Sequence, residues 1–187
     1  MSPAVCAGSD SGCEERLSSL RALLPAVIVD KPERTSLVDF FEALPTDFAC
    51  FDHLFGYSES EGPAPMYFQP ELHFLFPKIA AVLPQEVYTR KLIRLCINAK
   101  WQADQTGALQ NATRLVLDTE TLLFVRFLGE LDTESERSVW AFLFGGPHPS
   151  NEQLEPSVQK RICETSVRSC ELLREEYVRA LEEEHTH

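Results

Sequence analysis

The sequence predicts an all-α protein, a single-domain bundle of about seven to nine helices around one buried central helix. Three observations carry that reading. Apolar residues recur at three- and four-residue intervals along nearly the whole chain, the spacing of a helix face. No stretch of useful length alternates apolar with polar residues, as a half-buried strand would. Leu92, Ile93, Leu95, Cys96, Ile97 and Ala99 leave only a narrow polar stripe of Arg94 and Asn98, and a helix that is apolar almost all round is normally buried. The central helix is therefore placed at residues 84–104. Pro84 suits the first position, because its missing N–H has no helical partner to lose, and Gly107 supplies a bend beyond it.

The remaining elements follow in order. Residues 1–12 are small, polar and Gly-bearing and are expected to be disordered; residues 13–187 make the helical domain. Leu17, Leu20, Leu23 and Leu24 stripe a first helix that Pro25 interrupts. Thr35 or Ser36 caps a second helix, Ser36 with Asp39 fitting a capping box, with Leu37, Phe40, Phe41 and Leu44 inside and Pro45 at its end. A third helix begins at Thr46, presents Phe48, Phe51, Leu54 and Phe55 on one side and stops at Gly56. Residues 57–65, YSESEGPAP, are the clearest exposed loop. Helix resumes over 67–83, where Pro77 kinks or splits it. After the central helix, Asp118 caps 119–131. Thr133 with Glu136 makes a second capping box for 134–144. Gly145, Gly146, Pro147 and Pro149 break the chain, and Ser150 with Gln153 is placed to cap a short turn. A long C-terminal helix spans 156–184, with Val158, Ile162, Cys170, Leu173, Tyr177 and Leu181 on one face.

The chain has 187 residues and a net charge of −12. Such a charge disfavours nucleic acid and anionic membranes, which both attract basic faces. The charge comes in blocks. Residues 35–77 hold 7 acidic side chains and no Lys or Arg, residues 78–117 are net +4, and residues 118–155 are net −6. Surplus carboxylates on one segment steer cationic partners, an effect that salt weakens. The opening residues, MSPAVCAGSD, lack the basic start and apolar core of a secretory signal. No apolar run approaches the roughly 20 residues that span a bilayer. A cytoplasmic protein is expected, with Cys6, Cys13, Cys50, Cys96, Cys163 and Cys170 reduced and serving as small hydrophobes. Cys163 and Cys170 lie on one face of the expected C-terminal helix, about 10 Å apart along its axis, too far for a bond.

Motifs that carry chemistry are scarce. Cys50 and His53 share a helical face, but a metal site needs three or four ligands and no matching second pair is seen. There is no G-x-S-x-G, H-E-x-x-H, P-loop or G-x-G-x-x-G. No catalytic, cofactor-binding or metal-binding residue is assigned.

Three pieces are distinctive: LVDFFEALPTDFACFDHLFGY, WQADQTGALQ and SVWAFLFGGPHP, together about a quarter of the chain. With the acidity and the helical pattern, they resemble the cytoplasmic immunity proteins encoded beside bacterial polymorphic toxins. The resemblance implies a non-catalytic inhibitor that binds a toxin domain and occludes its active site. Toxins that act on nucleic acid or nucleotides present basic clefts, which acidic side chains with a few aromatic anchors would fill. The candidate partner-binding residues are Glu59 and Glu61 in the 57–65 loop, and Asp132, Glu134 and Glu136 in the acidic turn. Two other classes remain open. One is a small enzyme or ligand-binding protein with a polar site at Trp101, Gln102 and Asp104, near His73 or His148. The other is an adaptor or chaperone acting through the C-terminal helix.

Overall fold

Residues 10–68, 71–102, 105–146 and 153–184 are described by the computed structural model. They form ten helices and one small hairpin: α1 (Asp10–Val27), α2 (Arg34–Ala43), α3 (Phe48–Phe55), β1 (Tyr57–Ser58), β2 (Gly62–Pro63), α4 (Leu72–Ala80), α5 (Gln85–Cys96), α6 (Gln105–Thr119), α7 (Thr121–Leu128), α8 (Thr133–Phe144), α9 (Pro156–Thr165) and α10 (Val167–Glu184). The class is all-α, with a long C-terminal helix. One hydrophobic cluster draws on every helix, and Trp140, Phe40, Phe41, Phe51, Phe55, Phe76, Phe124, Phe142 and Phe144 are its largest fully buried side chains. No helix among the described residues is long and apolar enough to cross a membrane. Of the expected disordered stretch, residues 1–9 lie outside the described residues, and residues 10–12 already belong to α1.

Two expected helices are each broken. The central one stops at Cys96, where Ile97 becomes extended and Asn98 takes φ 57°. Asparagine is one of the few residues besides glycine that tolerates this left-handed region, so the break falls there and Gly107 sits inside α6. α5 keeps its central place, packed against α3, α6, α7 and α8. At the C-terminus, Ser166 (φ −146°, ψ 116°) leaves helical geometry and separates α9 from α10. The chain bends back there and brings Cys163 and Cys170 together in a disulfide, with Cα atoms 4.6 Å apart. The straight-helix argument against that bond fails because the helix is not continuous. A second disulfide, Cys13–Cys50, ties α1 to α3. Among the described residues only Cys96 stays a free, buried thiol, as expected for all six; burial pushes its pKa up to about 12.

The helix starts differ from the expected caps. Asp47, not Thr46, caps α3, accepting a hydrogen bond from the Cys50 amide at 2.9 Å. Asp132, not Thr133, caps α8, accepting from the Ser135 amide at 2.9 Å. α2 begins after Glu33 and α7 after Glu120, both without a side-chain cap, so none of Thr35, Ser36 and Asp118 caps a helix. Pro25 and Pro77 both lie inside helices, α1 and α4, without splitting them.

Helix ends inside a bundle leave backbone groups without helical partners, and α6 supplies many of the missing ones. Gln105 accepts from the Leu72 amide at 3.2 Å, at the start of α4, and donates to the Tyr67 carbonyl at 3.0 Å. Gln110 donates to the carbonyls of Phe142 at 2.6 Å and Gly145 at 2.7 Å, and Arg114 donates to Leu143 at 2.8 Å. α6 thereby clamps the end of α8. The end of α2 is held by two cations, Arg16 on the Leu44 carbonyl at 3.0 Å and Lys91 on the carbonyls of Phe41 and Glu42.

Candidate partner-binding surface

The 57–65 loop is built on α3. Asp47 starts that helix and Gly56 ends it, and the chain then turns into the β1–β2 hairpin, with Tyr57 opposite Pro63 and Ser58 opposite Gly62. Gly62 has φ 85°, a conformation that favours glycine. Gly56 is required for a different reason. A Cβ there would overlap both the carboxylate and the carbonyl oxygen of Asp52. Three further hydrogen bonds fix the hairpin to the body. The Tyr57 amide donates to Gln102 Oε1 at 3.0 Å, Ala64 to the Gly56 carbonyl at 3.0 Å, and Met66 to the Leu54 carbonyl at 2.8 Å.

The tip carries Glu59, Ser60 and Glu61, all exposed. The Ser58 hydroxyl orders it by accepting from the Glu61 amide at 3.3 Å and lying 3.0 Å from the Ser60 hydroxyl. Neither glutamate forms an ion pair among the described residues. A cleft of about 350 Å³ opens between the hairpin and α3, lined by Asp52, His53, Tyr57, Ser58 and Glu61 among others. Burial raises the pKa of Asp52, opposed by its hydrogen bond with Gln102 and by the charge of Lys100. His53 lies 3.8 Å from Glu14, and its helical neighbour Cys50 is spent on the disulfide. The cleft therefore offers carboxylates to a cation, without a Cys–His pair.

The acidic turn is a separate place. Trp101 packs against Gly145 and Gly146 at the C-terminal end of α8, and its neighbour Gln102 holds the hairpin. Asp132 and Glu134 stand at the other end of α8, about 18 Å away along its 12 residues. Both are exposed, and hydrogen bonds from Ser135 lower the pKa of Asp132.

Glu136 is not on the surface, which corrects its assignment as a partner contact. It is 0% exposed, lies 2.7 Å from Arg168 Nε and accepts from the Ser169 hydroxyl at 2.5 Å. Glu176 is buried beside it in the same helix pair and accepts from Arg137 at 2.8 Å and Arg179 at 2.9 Å. These carboxylates join α8 to α10. Residues at a capping-box position normally face solvent; here the rotation of α8 against α10 turns Glu136 inward, a tertiary outcome with no local signal.

Of the polar site considered at Trp101, Gln102 and Asp104, the described residues Trp101 and Gln102 make contacts within the fold. Gln102 anchors Tyr57, and its backbone exchanges hydrogen bonds with the Thr106 hydroxyl at the start of α6. Asp104 and His148 lie outside the described residues. Among the described residues no group of three or more His, Cys, Asp and Glu is placed to hold a metal ion. No protein-family model, curated protein or solved structure matches the chain.

Proposed function

We propose that this protein is a non-catalytic inhibitor of the immunity-protein kind, which binds a basic protein and occludes its functional cleft. The observation that supports this most is the hairpin tip. Glu59 and Glu61 are exposed, lack ion pairs among the described residues, and stand on a hairpin fixed to the bundle by the amides of Tyr57 and Met66, which donate to the Gln102 side chain and the Leu54 carbonyl. A preformed acidic projection loses little entropy on docking and accelerates encounter with a cationic surface. Asp132 and Glu134 form a second acidic point across α8. The adaptor reading is less favoured, because the apolar residues Cys170, Leu172 and Leu173 of α10 are already buried in a helix packed on α8 and α9.

The test is a pull-down with the full chain from its native host at low and moderate salt. One basic protein in near-equal amount, toxic to growth when expressed alone and harmless with this chain, is the expected result. Replacing Glu59→Lys with Glu61→Lys should slow association with that protein at low salt. Recovery of no partner at either salt would overturn the reading, and association rates indifferent to both substitutions would remove the hairpin tip as its contact.

A further inference from the structure

Ile28 and Val29, just past α1, are 61% and 46% exposed, and Phe68 and Phe74, around the start of α4, are 76% and 60% exposed. All four line one groove of about 430 Å³. Single exposed apolar side chains are ordinary, but several bulky ones around one concavity mark a contact surface. Phe74 also stands off the buried stripe of α4, which runs Leu72, Leu75, Phe76 and Ile79, so its exposure follows from its helical position.

The rim is acidic. Asp30 and Glu71 line the groove, and neither forms an ion pair among the described residues. Lys78, the cation in the lining, turns its ammonium onto the carbonyls of Val29 at 3.5 Å and Asp30 at 3.3 Å. It thereby holds the segment that follows α1. The groove is continuous with the hairpin. The rings of Tyr57 and Tyr67 are 5.7 Å apart and those of Tyr67 and Phe68 are 4.9 Å apart. An aromatic path therefore leads from the acidic tip to the apolar concavity, which matches the apolar centre and polar rim of a protein interface.

We propose that the groove is the apolar centre of the docking surface and seats a segment of a cationic protein, with bulky apolar side chains in the concavity and Lys or Arg against Asp30 and Glu71. Charge selects this occupant. A second copy of the chain also carries −12 and is repelled, and so is an anionic bilayer from the same face. The proposal rests on the reading of the chain as a binder of a basic protein and names what that partner must present.

The probe is a synthetic amphipathic helix of leucine and lysine, with a leucine and glutamate counterpart, titrated onto the full chain at moderate salt. The lysine peptide should bind. The double variant Phe68→Ser/Phe74→Ser should weaken it about tenfold or more. Ile28→Ser/Val29→Ser gives an independent variant if the phenylalanine pair disturbs folding. Equal binding by these variants, or equal binding of the glutamate peptide, overturns the proposal. So does a dimer, or flotation with neutral-lipid vesicles, that the phenylalanine variant abolishes. The two readings fail separately. If the groove variants lose the basic partner from lysate and Glu59→Lys/Glu61→Lys does not, the hairpin fails as a contact and the groove stands.

Discussion

Gln110 shows how much a single buried amide does in this bundle. It is 4% exposed and its side chain satisfies carbonyls at the end of α8. Gln110→Leu keeps the volume, removes the donor to the Gly145 carbonyl and leaves the Phe142 carbonyl with the Gly145 amide alone, which should cost about 1–3 kcal/mol, measured by urea unfolding. Lys91 makes a second residue-scale case. Burial lowers its pKa from 10.5 to about 8, helped by nearby Arg16 and opposed by Glu42. Between those two values the unfolded chain holds the proton that the folded chain has lost, so this group makes stability rise with pH across that window and leaves it flat below. Unfolding at pH values near 8 and above 10 should show a smaller rise in Lys91→Met than in the parent. An equal rise would place the titration elsewhere.

At the scale of elements, the hairpin depends on how α3 ends. Gly56→Ala would drive a methyl into the Asp52 carbonyl oxygen, a backbone atom that no rotamer change moves. The loss should be about 1–3 kcal/mol, with faster amide exchange at Tyr57, Ala64 and Met66, while Gly12→Ala, which meets nothing within 4 Å, serves as the control. The element pattern was largely legible in the residues. The stripes Leu17–Leu20–Leu24, Leu37–Phe40–Phe41 and Phe51–Leu54–Phe55 are buried where their spacing places them. Breaks were less legible. Asn98 tolerates the left-handed backbone that ends α5, but Asn and Ser also occur in helix interiors, so neither Asn98 nor Ser166 marks a helix end by itself and packing decides. The 57–65 loop was recognisable from its composition, but its pairing into strands required the anchoring of Tyr57 by Gln102, far along the chain.

At the scale of the whole molecule, the disulfides bear on where the protein works. The cytoplasmic setting that accompanies the proposed function keeps thiols reduced, whereas Cys13–Cys50 and Cys163–Cys170 are bonded in the structure. Rapid quenching of host cells in acid, followed by alkylation under denaturing conditions and peptide mass spectrometry, decides between them. Alkylated Cys13, Cys50, Cys163 and Cys170 are expected for the cytoplasmic protein; bonded pairs would place it in an oxidising compartment.

What the sequence by itself determined is the helical class, the buried stripes, the acidic surplus and the loop that carries Glu59 and Glu61, because these follow from local spacing and composition. The tertiary structure decided the rest. It buried Glu136 against Arg168, separated Asp132 and Glu134 from the hairpin by the length of α8, and gathered Ile28, Val29, Phe68 and Phe74 around one groove. Burial and neighbourhood depend on how one helix is rotated against another, and that rotation is set by packing summed over the whole core.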